Sequence, residues 1–280
     1  MSDRHRATFR DAPDDAAEAA QAPDTAQSRA PSYRLAFADE EFLLRDALRP
    51  VRLQLELMKP EMVMAEEGID TTVVLFGGAR IPAPGGGGPA PGAMPDLSAY
   101  YDEARVFARR MTERSMAGGG RDGVIVTGGG PGVMEAGNLG AQEAGGRSVG
   151  LNIVLPHEQA PNVYVTPELS FNFHYFAIRK MHFLMRARAI CVFPGGFGTL
   201  DELFETLTLI QTGRMSKVPV LIFGKPFWDK VVNFDALLEA GTIAREDLDL
   251  FRFVETADEA IAAIEGWPDP QARREDVPGL

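Results

Sequence analysis

The sequence predicts an α/β fold, a doubly wound, Rossmann-like parallel sheet flanked by helices, with a helical extension before it. Two observations support this prediction. From residue 71 onward, short apolar runs alternate with stretches of helical period, as in a parallel sheet whose strands are joined by helices. Three of the runs also end in glycine clusters. The runs predicted to be strands are Thr72–Phe76, Gly123–Thr127, Ser148–Leu155, Ala189–Phe193 and Val218–Phe223.

The first 70 residues divide into two predicted segments. Residues 1–35 are rich in Ala, Asp, Gln, Pro and Arg and show neither strand nor helix period, which predicts a disordered tail. Residues 36–70 place apolar side chains at helical spacing, so we expect a helical extension that is interrupted at Pro50 and Pro60. Residues 71–280 then form the predicted Rossmann-like, nucleotide-binding catalytic domain.

Helical periodicity recurs between the predicted strands. The Gly/Pro-rich stretch 82–95 is predicted to be loop, as is the stretch that follows the third strand up to Phe171, with short extended pieces. The predicted helices cover residues 98–115, 133–144, 174–188, 199–211, 227–239 and 257–264. Ligands of such sheets bind beyond the carboxyl ends of the strands, which selects the loops after Phe76, Thr127 and Phe193.

Composition excludes several classes of function. The 280 residues have a net charge of −12 and a pI near 4.9, so neither nucleic acid nor an anionic membrane surface is an expected partner. The single cysteine, Cys191, lies in an apolar strand and forms no intrachain disulfide, and the four histidines lack metal-ligand spacing. No apolar run is long enough to span a bilayer, and the N-terminus lacks a secretory signal. We therefore expect a cytoplasmic protein without a bound metal.

The first glycine cluster, Gly128–Gly132, follows a predicted strand and opens a predicted helix. Glycine lets a ligand approach the backbone, and the helix N-terminus offers free N–H groups and partial positive charge to an anion. The alternative is a tight turn that only joins strand to helix. Three consecutive glycines cost more backbone entropy than such a turn requires, which favours a ligand site.

The second cluster, Pro194–Gly198, stands in the same context and is followed by Thr199, which can cap the helix and donate its hydroxyl to a phosphate. Asp201, Glu202 and Glu205 lie in the first turns of that helix. Acidic residues there can simply complement the helix dipole. Beside an anion, however, extra carboxylates are costly, and this favours a chemical role for one of them.

Neither cluster matches two better-known nucleotide motifs. No Gly-Lys-Ser/Thr follows, so neither is a P-loop. The dinucleotide fingerprint requires a third glycine, where the first cluster has Val133 and the second has Asp201. No acidic residue ends the next strand to hold a ribose hydroxyl, which disfavours an NAD-dependent oxidoreductase.

Two adjacent cations, Arg179 and Lys180, occur inside an otherwise apolar helix. Both could extend to solvent along their aliphatic stems. Alternatively, Arg179 points into the pocket and binds an anionic substrate. The nearby aromatic residues are more often core than a stacking platform for a base, and they are Phe171, Phe173, Tyr175 and Phe176.

Three segments together, Gly128–Glu135, Arg179–Lys180 and Pro194–Glu202, resemble the Lonely Guy (LOG) family of cytokinin riboside 5′-monophosphate phosphoribohydrolases. The resemblance extends over about residues 71–239. It implies a Rossmann-like enzyme that hydrolyses AMP or N6-substituted AMP to free base and ribose 5-phosphate, without a cofactor. The family is related to Rossmann proteins described as lysine decarboxylases, but this sequence has no pyridoxal-phosphate lysine motif.

The resemblance also implies roles for individual residues. It assigns the catalytic arginine and glutamate to Arg179 and Glu202. It assigns phosphate binding to Gly195, Gly196, Gly198 and Thr199, and the family's first glycine turn to Gly129, Gly130 and Gly132. We also expect substrate contacts from four further residues: Gly77, Glu135, Lys180 and Asp201. Glu168 is a weak candidate for the family's upstream substrate-binding glutamate, because the segment 161–171 differs from the short plant members. The base contacts and the identity of the monophosphate stay open.

Two further alternatives concern function and assembly. A non-catalytic protein that binds a nucleotide or carries molybdenum cofactor would keep the glycine turns, yet it would not need both Arg179 and Glu202. Members of the family form dimers, so the resemblance implies a homodimer or a higher homo-oligomer. Apolar positions on the last glycine-turn helix, such as Leu203, Leu207 and Ile210, suit either an interface or the core.

Overall fold

The computed structural model describes residues 10–85, 96–155 and 160–268. These residues form two compact units, which divide between Glu56 and Leu57. In the first unit, helix α1 (Ala12–Ala19) occurs where the sequence predicts a disordered tail. The difference has a local cause, because α1 combines alanines with a proline and two aspartates in its first turn. The predicted boundaries at residues 35 and 70 stay predictions.

Helix α2 (Glu40–Leu43) is followed by α3 (Arg49–Glu66), which corrects the predicted interruption of the extension. Pro50 lies in the first turn of α3, where its missing N–H costs nothing. Pro60 lies inside the same helix and is buried, so the helix continues through it.

The second unit contains one seven-stranded sheet in which every neighbouring pair is parallel. The predicted fold class is therefore confirmed. The strand order is β4-β3-β2-β1-β5-β6-β7. The strands are β1 (Thr72–Phe76), β2 (Val124–Thr127), β3 (Ser148–Ile153), β4 (Ser170–Phe173), β5 (Ala187–Val192), β6 (Val220–Phe223) and β7 (Arg252–Val254).

Helices cover both faces of this sheet because the strands are apolar on both faces. On one face, Val73 and Leu75 pack with residues of α4, α5 and α10, including Phe107. On the other, Val74 and Phe76 pack with residues of α6 and α7. The helices of the second unit after α3 are α4 (Ser98–Ala117), α5 (Val133–Glu143), α6 (Phe176–Met185), α7 (Phe197–Gln211), α8 (Lys225–Val231), α9 (Phe234–Glu239) and α10 (Ala257–Glu265).

The strand order reverses between β1 and β5, and this reversal positions the candidate site. The chain builds β1 to β4 outward in one direction and then returns to place β5 on the other side of β1. Doubly wound sheets bind ligands at the carboxyl ends of the strands beside such a reversal, so a site is expected at the loops that leave β1 and β5. Among the helices of the described ranges, none has both the length and the apolar character that crossing a bilayer would require.

Candidate nucleotide site at the switch point of the sheet

The turn after β2, Gly128–Gly132, has a backbone that only glycine accommodates at two positions. Gly129 and Gly132 have φ values of +73° and +70°. A Cβ on Gly129 would lie 2.7 Å from the Cγ atom of Asn152, and one on Gly132 would lie 2.8 Å from the backbone carbon of Ala79. Packing within the protein therefore accounts for both glycines.

A buried polar network holds this turn in place. Asn162 Nδ2 donates to the carbonyl oxygens of Gly129 and Gly130 at 3.1 and 3.0 Å, and to Asn138 Oδ1 at 2.9 Å. Asn138, which is fully buried, also accepts from Thr127 Oγ1 at 2.7 Å. These residues were not among the predicted site residues. A buried asparagine in the middle of α5 is the one sequence signal for the network, because buried amides need partners.

The loop after β1 joins the two glycine turns. Gly78 N donates to the carbonyl oxygen of Pro194 at 2.9 Å, and Val133 N donates to Gly78 O at 3.3 Å. A Cβ on Gly77 would lie 2.5 Å from Val133 Cγ1. Predicted residue Gly77 therefore lies against the start of α5, beside the turn after β2.

The turn after β5 differs from the turn after β2. A Cβ on Gly195 would lie 2.7 Å from Thr199 Cβ, so this glycine is needed for packing. Cβ atoms on Gly196 and Gly198 would meet nothing within 4 Å, and both residues are exposed. Thr199 is buried in the first turn of α7, and its hydroxyl makes no hydrogen bond to the described part of the chain. The open side of this turn therefore presents bare backbone at a helix N-terminus.

Arg179 connects the turns. Its Nε atom donates to the carbonyl oxygen of Leu151 at 2.7 Å, and its side chain is only 11% exposed. A Cβ on Gly128 would lie 2.6 Å from its terminal nitrogen, so the guanidinium lies against the turn after β2. The other terminal nitrogen is 3.6 Å from Glu202 Oε1. The sequence left open whether the Arg179 side chain extends to solvent or points inward, and in the structure it points inward.

Glu202 is a buried acid on the first turns of α7. Its side chain is 15% exposed, and burial raises its pKa to about 7, against the lowering effect of Arg179. A pKa raised toward neutrality suits a group that exchanges protons with substrate or water.

The other charged residues predicted for the site form a cluster at the surface. Lys180 Nζ donates to Asp201 at 3.1 Å and lies 3.1 Å from a Glu205 carboxylate oxygen. Burial lowers the pKa of Lys180, but the hydrogen bonds to the two carboxylates outweigh it and the pKa is raised. The proposed contacts of Lys180 and Asp201 with substrate stay predictions.

Two glutamates from the sequence analysis lie in different places. Glu135 is in the first turn of α5 and accepts a hydrogen bond of 3.0 Å from the Tyr101 hydroxyl, close to the turn after β2. Glu168 lies in a 3-10 turn immediately before β4, at the amino-terminal edge of the sheet. It is therefore at the opposite edge from the glycine turns, and its assignment as a substrate glutamate is wrong.

The apolar candidates mostly belong to the core. Phe171 and Phe173 are buried, whereas Phe176 is 56% exposed. The three positions that suited either an interface or the core are buried within this chain, so the structure assigns them to the core; they are Leu203, Leu207 and Ile210.

The sheet order, with glycine turns at its switch point, defines a Rossmann-like α/β protein. A family model described as "possible lysine decarboxylase" matches residues 134–264. Cytokinin riboside 5′-monophosphate phosphoribohydrolase LOG from rice is 32% identical over 90 residues, which span 32% of this chain and 37% of that protein. LOG2 from Arabidopsis thaliana is 25% identical over 148 residues, spanning 52% of this chain and 65% of that protein. These matches confirm the resemblance to the Lonely Guy family that the motifs predict.

The matched segments span less than two thirds of these two plant relatives. A solved structure, the molybdenum cofactor binding protein from the phototrophic bacterium Rippkaea orientalis, is 18% identical to this chain. Its TM-score is 0.44, and the match covers 70% of this chain and 96% of that one.

Proposed function

We propose that this protein hydrolyses the N-glycosidic bond of a nucleoside 5′-monophosphate, with AMP or N6-substituted AMP as substrate and free base and ribose 5-phosphate as products. One observation supports this most directly: a buried acid, Glu202, faces the inward-pointing Arg179 beside two glycine turns. The relatives with this activity support the same reaction class. On the sequence alone, we propose a cytoplasmic homo-oligomer.

The 5′-phosphate would bind at the turn after β5. The first N–H groups of α7 have no partner within the helix and attract an anion. Gly196 and Gly198 leave the space beside them open, and the Thr199 hydroxyl provides a further donor. Holding the phosphate there fixes the sugar, so orientation contributes to the rate without many contacts to the base.

The chemistry would then fall to Glu202 and Arg179. Breaking the bond between C1′ and the base nitrogen builds positive charge on the sugar, which a nearby carboxylate stabilises. The carboxylate of Glu202 takes a proton from the attacking water as the water oxygen bonds to C1′. The base leaves with the bonding electron pair, and the proton taken up by Glu202 passes to the base nitrogen, which restores the carboxylate. The Arg179 guanidinium stabilises the phosphate or the departing base and keeps part of the Glu202 population ionised.

Incubating the purified protein with AMP and separating the products by chromatography tests this proposal. We expect adenine and ribose 5-phosphate in equal amounts, and a loss of about 10²- to 10⁴-fold in rate for Glu202→Gln. Glu205→Gln is the matched control, because it removes an acid from the same helix one turn away. It should keep activity within a few-fold.

Full activity in Glu202→Gln would refute the assigned role of this residue. If the protein binds AMP stoichiometrically in calorimetry and releases no adenine from any of several monophosphates, it is a nucleotide-binding protein and the proposed reaction is wrong.

A further inference from the structure

The loop after β1 ends in a cation that the proposed mechanism does not use. Residues 78–81 form a turn in which Ile81 N donates to Gly78 O at 3.4 Å. Ile81 is buried and holds the end of the turn against the core, whereas Arg80 is exposed. The turn therefore presents the Arg80 side chain to solvent from a fixed backbone position.

This turn lies between the two glycine turns. A Cβ on Gly78 would be 3.2 Å from Pro194 O and 3.4 Å from the Cα atom of Gly195. The backbone of Ala79 contacts Gly132 on the other side. Arg80 is the next residue, so its long side chain starts at the opening between the two turns.

The charged residues on α6 and at the start of α7 leave no net positive charge for a phosphate. Arg179 faces Glu202, and Lys180 is paired with Asp201 and Glu205. With Glu202 ionised, two cations are set against three carboxylates, a net charge of −1 before substrate binds. Arg80 has no ion pair or side-chain hydrogen bond with the described part of the chain.

We infer that Arg80 binds the 5′-phosphate of the substrate and supplies the positive charge that the paired cations do not. This inference rests on the proposed function. The guanidinium donates two parallel hydrogen bonds to phosphate oxygens, a geometry that lysine lacks. Arg80 is thus a substrate-binding residue that distinguishes a nucleotide from the corresponding nucleoside.

Calorimetric binding of AMP, ribose 5-phosphate and adenosine to the wild-type protein and to two variants tests this. Arg80→Ala should weaken binding of both phosphate compounds by about tenfold or more, because a charged bidentate contact is lost. Binding of adenosine should not change. Arg80→Lys should recover part of the loss, since lysine keeps the positive charge but cannot donate two parallel hydrogen bonds.

Arg214→Ala is the matched control, since Arg214 is exposed just after the C-terminal end of α7 and thus away from the carboxyl edge of the sheet. It should bind all three compounds like the wild type. Wild-type affinity for AMP in Arg80→Ala, or an equal loss for adenosine, would overturn the inference. If the wild type binds AMP and does not cleave it, only the proposed reaction fails. If it binds neither phosphate compound, both fail.

Discussion

The two glycine turns look alike in sequence and differ in what requires their glycines. In the turn after β2, Gly129 and Gly132 have positive φ and no room for a Cβ. In the turn after β5, Gly196 and Gly198 have neither constraint. The first turn is thus explained by the protein itself. The second has open space beside its glycines, where we propose that the phosphate binds.

The comparison teaches that glycine content alone does not identify a ligand site. The rigid turn after β2 positions Arg179 from one side, because the guanidinium lies against Gly128. The open turn after β5 begins α7, which positions Glu202. One turn therefore supports Arg179, and the other is the turn that we propose binds the phosphate. Substitutions in each should separate stability from binding.

Gly132→Ala should have the largest effect on stability. The alanine would adopt a backbone conformation that L-residues rarely take, and its Cβ would collide with the backbone of residues 78 and 79. We expect the free energy of unfolding in urea to fall by at least about 3 kcal/mol. An alanine variant with wild-type stability would show that the turn after β2 is not rigid.

The pH dependence of stability should report the buried acid at the open turn. Because burial raises the pKa of Glu202 from its ordinary 4.5 to about 7, its protonated form stabilises the fold. That contribution is complete below pH 4.5 and is lost as the pH rises through 7. Over this range the wild type should lose on the order of 3 kcal/mol relative to Glu202→Gln in urea unfolding. If the stabilities of the wild type and Glu202→Gln change with pH in the same way, the raised pKa of Glu202 is contradicted.

Removing the buried amide should weaken the rigid turn to a lesser degree. Asn138→Ala leaves Thr127, Ser148 and Asn162 without their shared partner. We expect a loss of about 2 kcal/mol in chemical denaturation, the cost of unsatisfied buried polar groups. Asn172→Ala, an exposed position on β4, is the control and should change stability little.

Gly198→Ala should have the smallest effect on stability. Gly198 is the second residue of α7 and its Cβ would be in open space, so stability should stay within about 1 kcal/mol and can rise. If a phosphate binds here, the added methyl group should weaken AMP binding in calorimetry. Unchanged AMP affinity would place the phosphate elsewhere.

The sequence predicts the central part of this fold well and its edges poorly. The predicted strands are confirmed because strands buried on both faces form continuous apolar runs. The edge strand β4 (Ser170–Phe173) alternates buried and exposed residues within a segment that reads as loop, and β7 (Arg252–Val254) is only three residues long. Such short strands form through pairing with a neighbour, which no local pattern reveals.

The site shows the same division. Motifs identified the glycine turns and the pair Arg179 and Glu202, since each motif is local. The contacts from Asn162 to the turn after β2 join residues more than 30 positions apart. Glu168 could not be placed from the sequence, because the strand that follows it, β4, reads as loop. Contacts between residues that are distant in sequence therefore determine the parts of the site that local motifs do not predict.

Arg179 has a consequence for anyone who wishes to engineer this chain. Its guanidinium bonds to Leu151 O in β3, on the β1–β4 side of the sheet, and faces Glu202 on α7, which follows β5 on the other side. One side chain therefore links the two sides of the sheet and also supplies a positive charge. A redesign of substrate preference should keep Arg179 and begin at the loops around it, where a substitution alters recognition without destabilising the fold.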